Sequence, residues 1–359
     1  MVILHYAGIG KNSASGVSVI VPQIMNAQTT FAQVGFYNYG KESFDTAEGV
    51  SRLSDFHEND DYHTFPAPFN HPDVVIFHSP FGIPKSVRIT KMLKKDVIPY
   101  VVVPHGCFSD FAMKKKGLKK SIARVLLFNR MVRDSAGIQY LSEGERKSSV
   151  YDVDCFVVPN GIMIPEYGEK DEARETLEIS FIGRKDVYHK GLDFLIEACK
   201  IAKEQLKDKV RVNIYGPESD GKAVCVSKII EECGVGDFVF DLPAVFGEAK
   251  EKVYKNTDIF VLTSRFEGQP VAILEAWSRG VPTLVTPGTN VADECAGNEC
   301  GWVISTDAKN IADKLVALTK NRQEILQNGK NAYCYVRKTY SWENIAARYC
   351  EAYKEICNK

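Results

Sequence analysis

Short apolar runs alternate with longer amphipathic stretches along the whole chain, and this alternation limits the folds open to it. A continuous apolar run flanked by helical pattern is what a strand looks like when both faces of its sheet are covered, as in parallel sheets wrapped by helices. In the first half the runs are Val2–His5, Val34–Tyr37, Val74–Phe77, Tyr100–Val103, Ile138–Tyr140 and Phe156–Val158. The pattern breaks at the turn signal Pro159-Asn160-Gly161 and a charged stretch (Glu166, Glu169, Lys170, Asp171, Glu172) that reads as a linker. It resumes with Ile179–Ile182, Val210–Tyr215, Phe238–Phe240, Ile259–Leu262 and Thr283–Val285. The expected class is α/β: two doubly wound, Rossmann-like domains facing a central cleft, with ligand at the carboxyl ends of the strands. The boundaries predicted are 1–165 and 166–339, and 359 residues suffice for two domains that each bury a core.

Composition excludes several classes. Net charge is −1 and 25% of residues are charged, so neither a general nucleic-acid binder nor a disordered acidic chain is indicated. No apolar run is long enough to span a bilayer. Met1-Val2-Ile3-Leu4-His5-Tyr6 enters a strand without the basic-then-apolar pattern of a signal peptide. The ten cysteines form no Cys-x-x-Cys pair and no zinc-like spacing; Cys199, Cys225 and Cys350 fall in helical patterns. They read as free thiols in a reducing cytosol, so a cytoplasmic location is expected.

The most informative segment for chemistry is Ser264-Arg265-Phe266-Glu267-Gly268-Gln269-Pro270-Val271-Ala272-Ile273-Leu274-Glu275-Ala276. It follows the strand Ile259–Leu262 and opens a helix with Pro270 in its first turn. The amides of Gly268, Gln269 and Val271 would point out of that helix start, where anions bind well. One carboxylate stands before this nest and one just inside the helix. The arrangement suits a diphosphate flanked by hydroxyl-rich rings, as in a nucleotide sugar. Eight residues along a helix is roughly 12 Å of rise, so Glu267 and Glu275 are expected to grip different parts of one long ligand rather than act as a hydrolase pair.

Other candidates lie at strand ends. Arg184 follows Phe181-Ile182-Gly183, and Lys190-Gly191 precedes a helix read as Leu192–Glu204. Either cation alone reads as a solvated surface charge; together, with glycines and a helix start beside them, they suit a diphosphate clamp. His105, in Val101-Val102-Val103-Pro104-His105-Gly106, is placed to bond a sugar hydroxyl or to act near the reacting centre as a catalytic residue, although a lone histidine at a strand end is more often structural. His78 is a weaker candidate of the same kind. The loop Gly8-Ile9-Gly10-Lys11-Asn12-Ser13-Ala14-Ser15-Gly16 links the first strand to a helix beginning near Val17 and permits close backbone approach to a phosphate. It lacks the dinucleotide fingerprint and its downstream acid, which disfavours a nicotinamide dehydrogenase. Asp152-Val153-Asp154 resembles a metal-holding element but precedes a strand rather than ending one; it reads as a surface turn, and no essential metal is expected. Met113–Arg133 holds eight Lys or Arg and no acid, with Leu118, Ile122, Val125 and Leu126 at helical spacing. It reads as a basic amphipathic helix; such helices lie on an anionic membrane surface, which would make the protein peripheral on the inner face of the cell membrane, or bind phosphate groups, and the plain reading, a surface helix whose apolar face packs on the sheet, is compatible with either.

Taken together, Gly16, His105, Pro159-Asn160-Gly161, the Arg184/Lys190 pair and Glu267-x7-Glu275 resemble the retaining glycosyltransferases of family 4 (glycosyltransferase group 1), over nearly the whole chain. The resemblance implies the GT-B fold, with an acceptor-side first domain and a donor-binding second, and a last helix within 340–359 that returns to the first domain. It implies that Arg184 and Lys190 hold the donor diphosphate, Glu267 contacts sugar hydroxyls near the anomeric carbon, and Glu275 holds the ribose. By the same resemblance His105 touches the donor sugar, Gly16 closes over the phosphate or acceptor side, and Asp241, Leu242 and Pro243 line the base pocket. No cofactor is implied; the co-substrate is a nucleotide diphosphate sugar, a UDP-sugar foremost, although the pocket residues do not separate uridine from guanosine or adenosine. The single Gly16 preceded by Ser15, where many members carry paired glycines, and Gly-Gln-Pro-Val after Glu267 depart from the family pattern.

The leading expectation is a hexosyltransferase, retaining and metal-independent, that extends a lipid-linked or saccharide acceptor in cell-surface polysaccharide synthesis. The alternatives are a nucleotide-sugar epimerase or sugar phosphorylase on a similar scaffold, and a non-catalytic nucleotide-sugar-binding protein.

Overall fold

The computed structural model describes residues 1–10, 16–40, 49–53, 61–79, 86–108, 128–168, 174–218, 225–267 and 270–358. The chain forms two compact units, Met1–Gly161 with Trp342–Lys359, and Ile162–Ser341.

The first unit is built on seven parallel strands: β1 (Val2–Ala7), β2 (Gln33–Asn38), β3 (Val50–Arg52), β4 (Val74–His78), β5 (Tyr100–Val103), β6 (Gly137–Tyr140) and β7 (Cys155–Val157). Their order is β3-β2-β1-β4-β5-β6-β7, so the winding reverses between β1 and β4. Side chains alternate across the sheet. Ile3 and Ala7 of β1 meet Ile20, Val21 and Ile24 of the helix Gly16–Gln28 and Ile345, Tyr349 and Tyr353 of the last helix, Trp342–Cys357. Leu4 and Tyr6 face the opposite core, with Phe65, Val102, Phe108 and Val132. Two covered faces explain why the strands read as unbroken apolar runs. The buried tyrosine hydroxyls of the last helix find a partner in Gln139 of β6. Its Nε2 donates to Tyr349 Oη (3.2 Å) and to the Val158 carbonyl (3.1 Å), and its Oε1 accepts from Tyr353 (3.1 Å). Without those bonds each buried polar group would cost about 1–3 kcal/mol.

The second unit holds β8 (Leu177–Ile182), β9 (Val210–Tyr215), β10 (Val239–Leu242), β11 (Ile259–Leu262), β12 (Thr283–Val285) and β13 (Gly301–Val303). All are parallel, in the order β10-β9-β8-β11-β12-β13, reversing between β8 and β11. The helix Leu192–Ile201 packs on Ala308–Leu318, and Val271–Trp277 packs on Arg322–Tyr340. Trp277 is fully buried and donates from Nε1 to Thr283 Oγ1 at 3.0 Å.

Every apolar run read as a strand forms one, with ends that differ by a residue or two at most of them, as at Val2–Ala7, Leu177–Ile182, Cys155–Val157 and Val239–Leu242. The edge strands β3 and β13 were not expected: Val50-Ser51-Arg52 and Gly301-Trp302-Val303 are too short and mixed to stand out, and each is held by one neighbour. The helix read as Leu192–Glu204 stops at Ile201, because Ala202 leaves helical geometry at φ −104°, ψ 20°; a short turn of helix, Lys203–Leu206, follows. Cys225 caps the helix Val226–Cys233 rather than lying within it. Asp152–Asp154 sits in the loop before β7, and among the described residues no cluster of His, Cys, Asp and Glu is placed to hold a metal ion.

Glu169–Glu172 of the linker segment and residues 113–127 of the basic stretch lie outside the described residues. Residues 128–133 are helical, with Phe128, Met131 and Val132 buried and Arg130 paired to Asp134 at 3.5 Å. Among the described residues no helix is long and apolar enough to cross a membrane.

Candidate active site

In the second unit the loops leaving β8 and β11 meet at the point where the sheet's winding reverses. Gly191 makes the meeting possible: it has φ +63°, and a Cβ there would lie 2.0 Å from the Thr263 carbonyl oxygen. The contact is stitched by Arg265 N–H to the His189 carbonyl (3.0 Å) and Thr263 Oγ1 to the Gly191 carbonyl (2.8 Å). His189 stacks on Phe266 with centroids 3.9 Å apart and donates from Nε2 to the Phe266 carbonyl at 2.8 Å. Burial holds the His189 imidazole below its ordinary pKa despite the nearby Glu267 carboxylate. Arg265 forks onto Asp193 at 2.9 and 2.6 Å, with its guanidinium over the rings of Tyr188 and Phe194. The aspartate raises its pKa, so this brace stays charged.

This framework presents Glu267. Lys190 Nζ lies 2.6 Å from Glu267 Oε1, and Ser264 Oγ donates to the same oxygen at 2.6 Å. The Asn290 side-chain amide donates to the Glu267 carbonyl. Among the described residues nothing bonds Glu267 Oε2. Burial pushes the carboxyl pKa up, but the Lys190 ammonium, His189 and the two hydrogen bonds outweigh it, and the net value falls below the ordinary one. Glu267 therefore stands as an anion with one oxygen held by Lys190 and Ser264.

Glu275 lies on the helix Val271–Trp277. Lys250 Nζ lies 2.7 Å from its Oε1 and 2.6 Å from its Oε2, and the Tyr254 hydroxyl donates to Oε2 at 2.9 Å. The helical-rise argument for the two glutamates needs correction. Glu267 precedes the helix, Pro270 is the N-cap rather than a first-turn residue, and helical geometry begins at Val271. The carboxylates are nevertheless separate: each has its own cation and they share no partner. Gly268 and Gln269 lie outside the described residues.

Of the two expected cations, Lys190 meets Glu267, whereas Arg184 is exposed and makes no ion pair among the described residues. The buried cation of that loop is Lys185, 6% exposed, which bonds Asp241 at 2.5 Å and pairs with Glu218 at 3.3 Å. Its Nζ also donates to the Leu242 carbonyl at 3.3 Å, while Pro243 is exposed. Asp241 and Leu242 are thus bound up with Lys185.

In the first unit, His105 follows β5 with φ +50° and Gly106 with φ +82°. Such a backbone in a histidine costs on the order of 1–3 kcal/mol and persists only when its surroundings impose it. Glu145 does so, accepting from the Gly106 amide through Oε1 and from the Leu141 amide through Oε2 (2.7 Å). Burial raises the Glu145 pKa against those two hydrogen bonds. His105 Nε2 lies 2.9 Å from His78 Nδ1. Gly16 opens the helix after β1; residues 11–15 of its loop lie outside the described residues.

Lys185, Ser264, Asn290 and Glu145 were missed from sequence. Glu145 had a signal, since Ser142-x-x-Glu145 is the capping pattern and Ser142 Oγ accepts from the Glu145 amide at 3.0 Å. Asn290 had none, because only the fold brings the loop after β12 to Glu267.

The family model described as glycosyl transferases group 1 matches residues 164–343. An uncharacterised glycosyltransferase of Methanocaldococcus jannaschii is 29% identical over 180 residues, covering 49% of this chain and 44% of that protein. A GDP-mannose:cellobiosyl-diphosphopolyprenol alpha-mannosyltransferase of Xanthomonas oryzae is 26% identical over 205 residues, covering 55% of this chain and 52% of that one. The chain thus spans about half the length of the curated relatives it matches. Among solved structures, Anabaena HepE in complex with UDP and glucose aligns with a TM-score of 0.73 at 15% identity, covering 99% of this chain and 100% of that one. That likeness carries the fold, GT-B. With half the chain matched by the family and its strand-end loops arranged as described, the protein belongs to the glycosyl transferases group 1 family.

Proposed function

We propose that the protein is a retaining, metal-independent glycosyltransferase that moves a sugar from a nucleotide diphosphate sugar, a UDP-sugar foremost, to a lipid-linked or saccharide acceptor in cell-surface polysaccharide synthesis. The observation that carries this reading is the Lys190–Glu267 pair: a cation and an anion, each partly open, held together where the sheet's winding reverses. A diphosphate would draw the Lys190 ammonium away from Glu267. The released carboxylate, still held by Ser264, would then take sugar hydroxyls near the anomeric carbon.

As the glycosidic bond breaks, negative charge grows on the leaving diphosphate, and Lys190, joined by Arg184, would stabilise it. Preorganised charge of this kind is worth several kcal/mol in a site from which water is excluded. Glu275 would hold the ribose, and His105 would contact the donor sugar. Same-face attack assisted by the leaving phosphate accounts for retention without a protein nucleophile. The lipid-linked acceptor is supported by the name of the Xanthomonas relative, whose acceptor is a diphosphopolyprenol.

Thermal-shift screening against UDP-, GDP- and ADP-sugars tests the donor, because a ligand bound only by the native state raises stability with its affinity and concentration. Transfer of label from the stabilising donor into a membrane-extract acceptor then tests the reaction. Donor hydrolysis or epimerisation that proceeds unchanged without acceptor would overturn the proposal.

A further inference from the structure

Three imidazoles run in line across the first unit's sheet. His5 stands in β1, His78 ends β4, and His105 follows β5, on three adjacent strands. His105 Nε2 is 2.9 Å from His78 Nδ1, His78 Nε2 is 3.0 Å from His5 Nδ1, and His5 Nε2 is 2.7 Å from Gln28 Oε1. Gln28 is the last residue of the helix Gly16–Gln28. His5, His78 and Gln28 are fully or almost fully buried, while His105 is half-buried. Burial lowers His5 and His105 to about 4, and burial with the charge of its two neighbours holds His78 well below its ordinary value. All three rings are neutral near pH 7.

A neutral imidazole carries one proton and one lone pair. Three hydrogen bonds joining three such rings to one amide therefore admit two orderings, and the amide decides between them. As placed, Gln28 presents its oxygen, which only accepts, to His5 and leaves its own Nε2 buried without a partner. His5 must then carry its proton on Nε2, so His5 Nδ1 accepts from His78 Nε2–H, and His78 Nδ1 accepts from His105 Nε2–H. The ordering leaves the lone pair of His105 on Nδ1. That atom makes no hydrogen bond among the described residues, and the ring is half-buried.

We propose that Gln28, His5 and His78 are positioning residues that hold His105 as its Nε2–H tautomer, so that Nδ1 acts as a hydrogen-bond acceptor for a hydroxyl of the donor sugar. This rests on the reading of His105 as a donor-sugar contact. Because the line ends in an amide, which takes up no proton near neutral pH, it orders tautomers rather than conducting protons away. His105 then presents a fixed acceptor.

Long-range 1H–15N spectra of the full chain labelled with 15N-histidine, recorded at pH 8, read the tautomer directly. Wild type and Gln28→Glu, which keeps an accepting oxygen, should show His105 protonated on Nε2. Gln28→Leu should average the two tautomers and lower UDP release from UDP-glucose about tenfold, the equivalent of one hydrogen bond. Rescue of both readouts by Gln28→Glu separates tautomer control from simple packing. A wild-type His105 protonated on Nδ1, or a tautomer indifferent to Gln28→Leu, would overturn the proposal. If instead the tautomer follows Gln28 while His105→Ala leaves turnover of UDP-glucose unchanged, the ordered line stands and the donor-sugar reading of His105 falls.

Discussion

Lys190 and Glu267, 77 residues apart in sequence, close on each other at 2.6 Å, and Ser264 shares the carboxylate oxygen they use. In the proposed function a donor diphosphate would compete with the carboxylate for this one ammonium. Glu267→Gln keeps a side chain of the same shape and removes the competing charge. Turnover should fall by about a hundredfold or more, the range seen when one transition-state contact is lost, while the affinity for UDP should rise. Steady-state kinetics with UDP titrations check both, and turnover within twofold of wild type would discard the assignment.

Glu275 already has its own cation, Lys250, and a hydrogen bond from Tyr254. A ribose contact works equally in ground and transition states, so its loss raises KM without lowering kcat. Glu275→Gln is expected to raise the donor KM about tenfold, one hydrogen bond to a charged group, with kcat nearly intact. A fall in kcat at unchanged KM would move Glu275 to the reacting centre.

The buried histidines make the first unit sensitive to mild acid. A histidine whose folded pKa is depressed binds its proton more weakly in the native state than in the unfolded one. Its neutral form is free of charge above the unfolded value, 6.5, and stability is lost as pH falls from there towards about 4. For fully buried His5 the loss amounts to about 3 kcal/mol across that window. Denaturant unfolding at pH 7, 6 and 5 should show the midpoint falling well above the range where carboxylates titrate, and His5→Phe should blunt the slope. The depressed carboxyl of Glu267 acts later: its contribution is present above the ordinary 4.5 and disappears as pH drops through its lower folded value.

Gly191→Ala should be severe. The added methyl would lie 2.0 Å from the Thr263 carbonyl in a left-handed backbone, so the two strand-end loops must part. A loss of about 3 kcal/mol or more is expected, combining strain with overpacking. The melting temperature should drop by several degrees and donor binding should fail with it. Gly234→Ala shares the left-handed φ but meets nothing within 4 Å. It should cost only about 1 kcal/mol.

Much of this molecule is legible in its sequence. Strands buried on both faces must be apolar throughout, so Val101-Val102-Val103 and Ile259-Phe260-Val261-Leu262 announce themselves. Val50-Ser51-Arg52 does not, since an edge strand needs only one neighbour. Glu267 stood out because it precedes the amides of a helix start, and Lys190 only because Arg184, two glycines and a helix start lie beside it. Their pairing was not readable, nor was the burial of Lys185 rather than Arg184, because a single residue's step decides which side chain turns inward after β8. The line from His5 to His105 depends on β1, β4 and β5 lying side by side, an order no local pattern encodes.

The helix Trp342–Cys357 completes the core of the first unit although the whole second unit separates it from the strands it covers. During synthesis the second unit can close once its own chain has emerged through Tyr340, whereas the first must wait, with the faces that the last helix covers and the amide of Gln139 still open, until Tyr349 and Tyr353 leave the ribosome. The unit that is translated first is therefore the last to finish folding. A premature stop before Trp342 would spare the Lys190–Glu267 loops and strand the N-terminal sheet with an open apolar face, a species that chaperones hold and proteases clear.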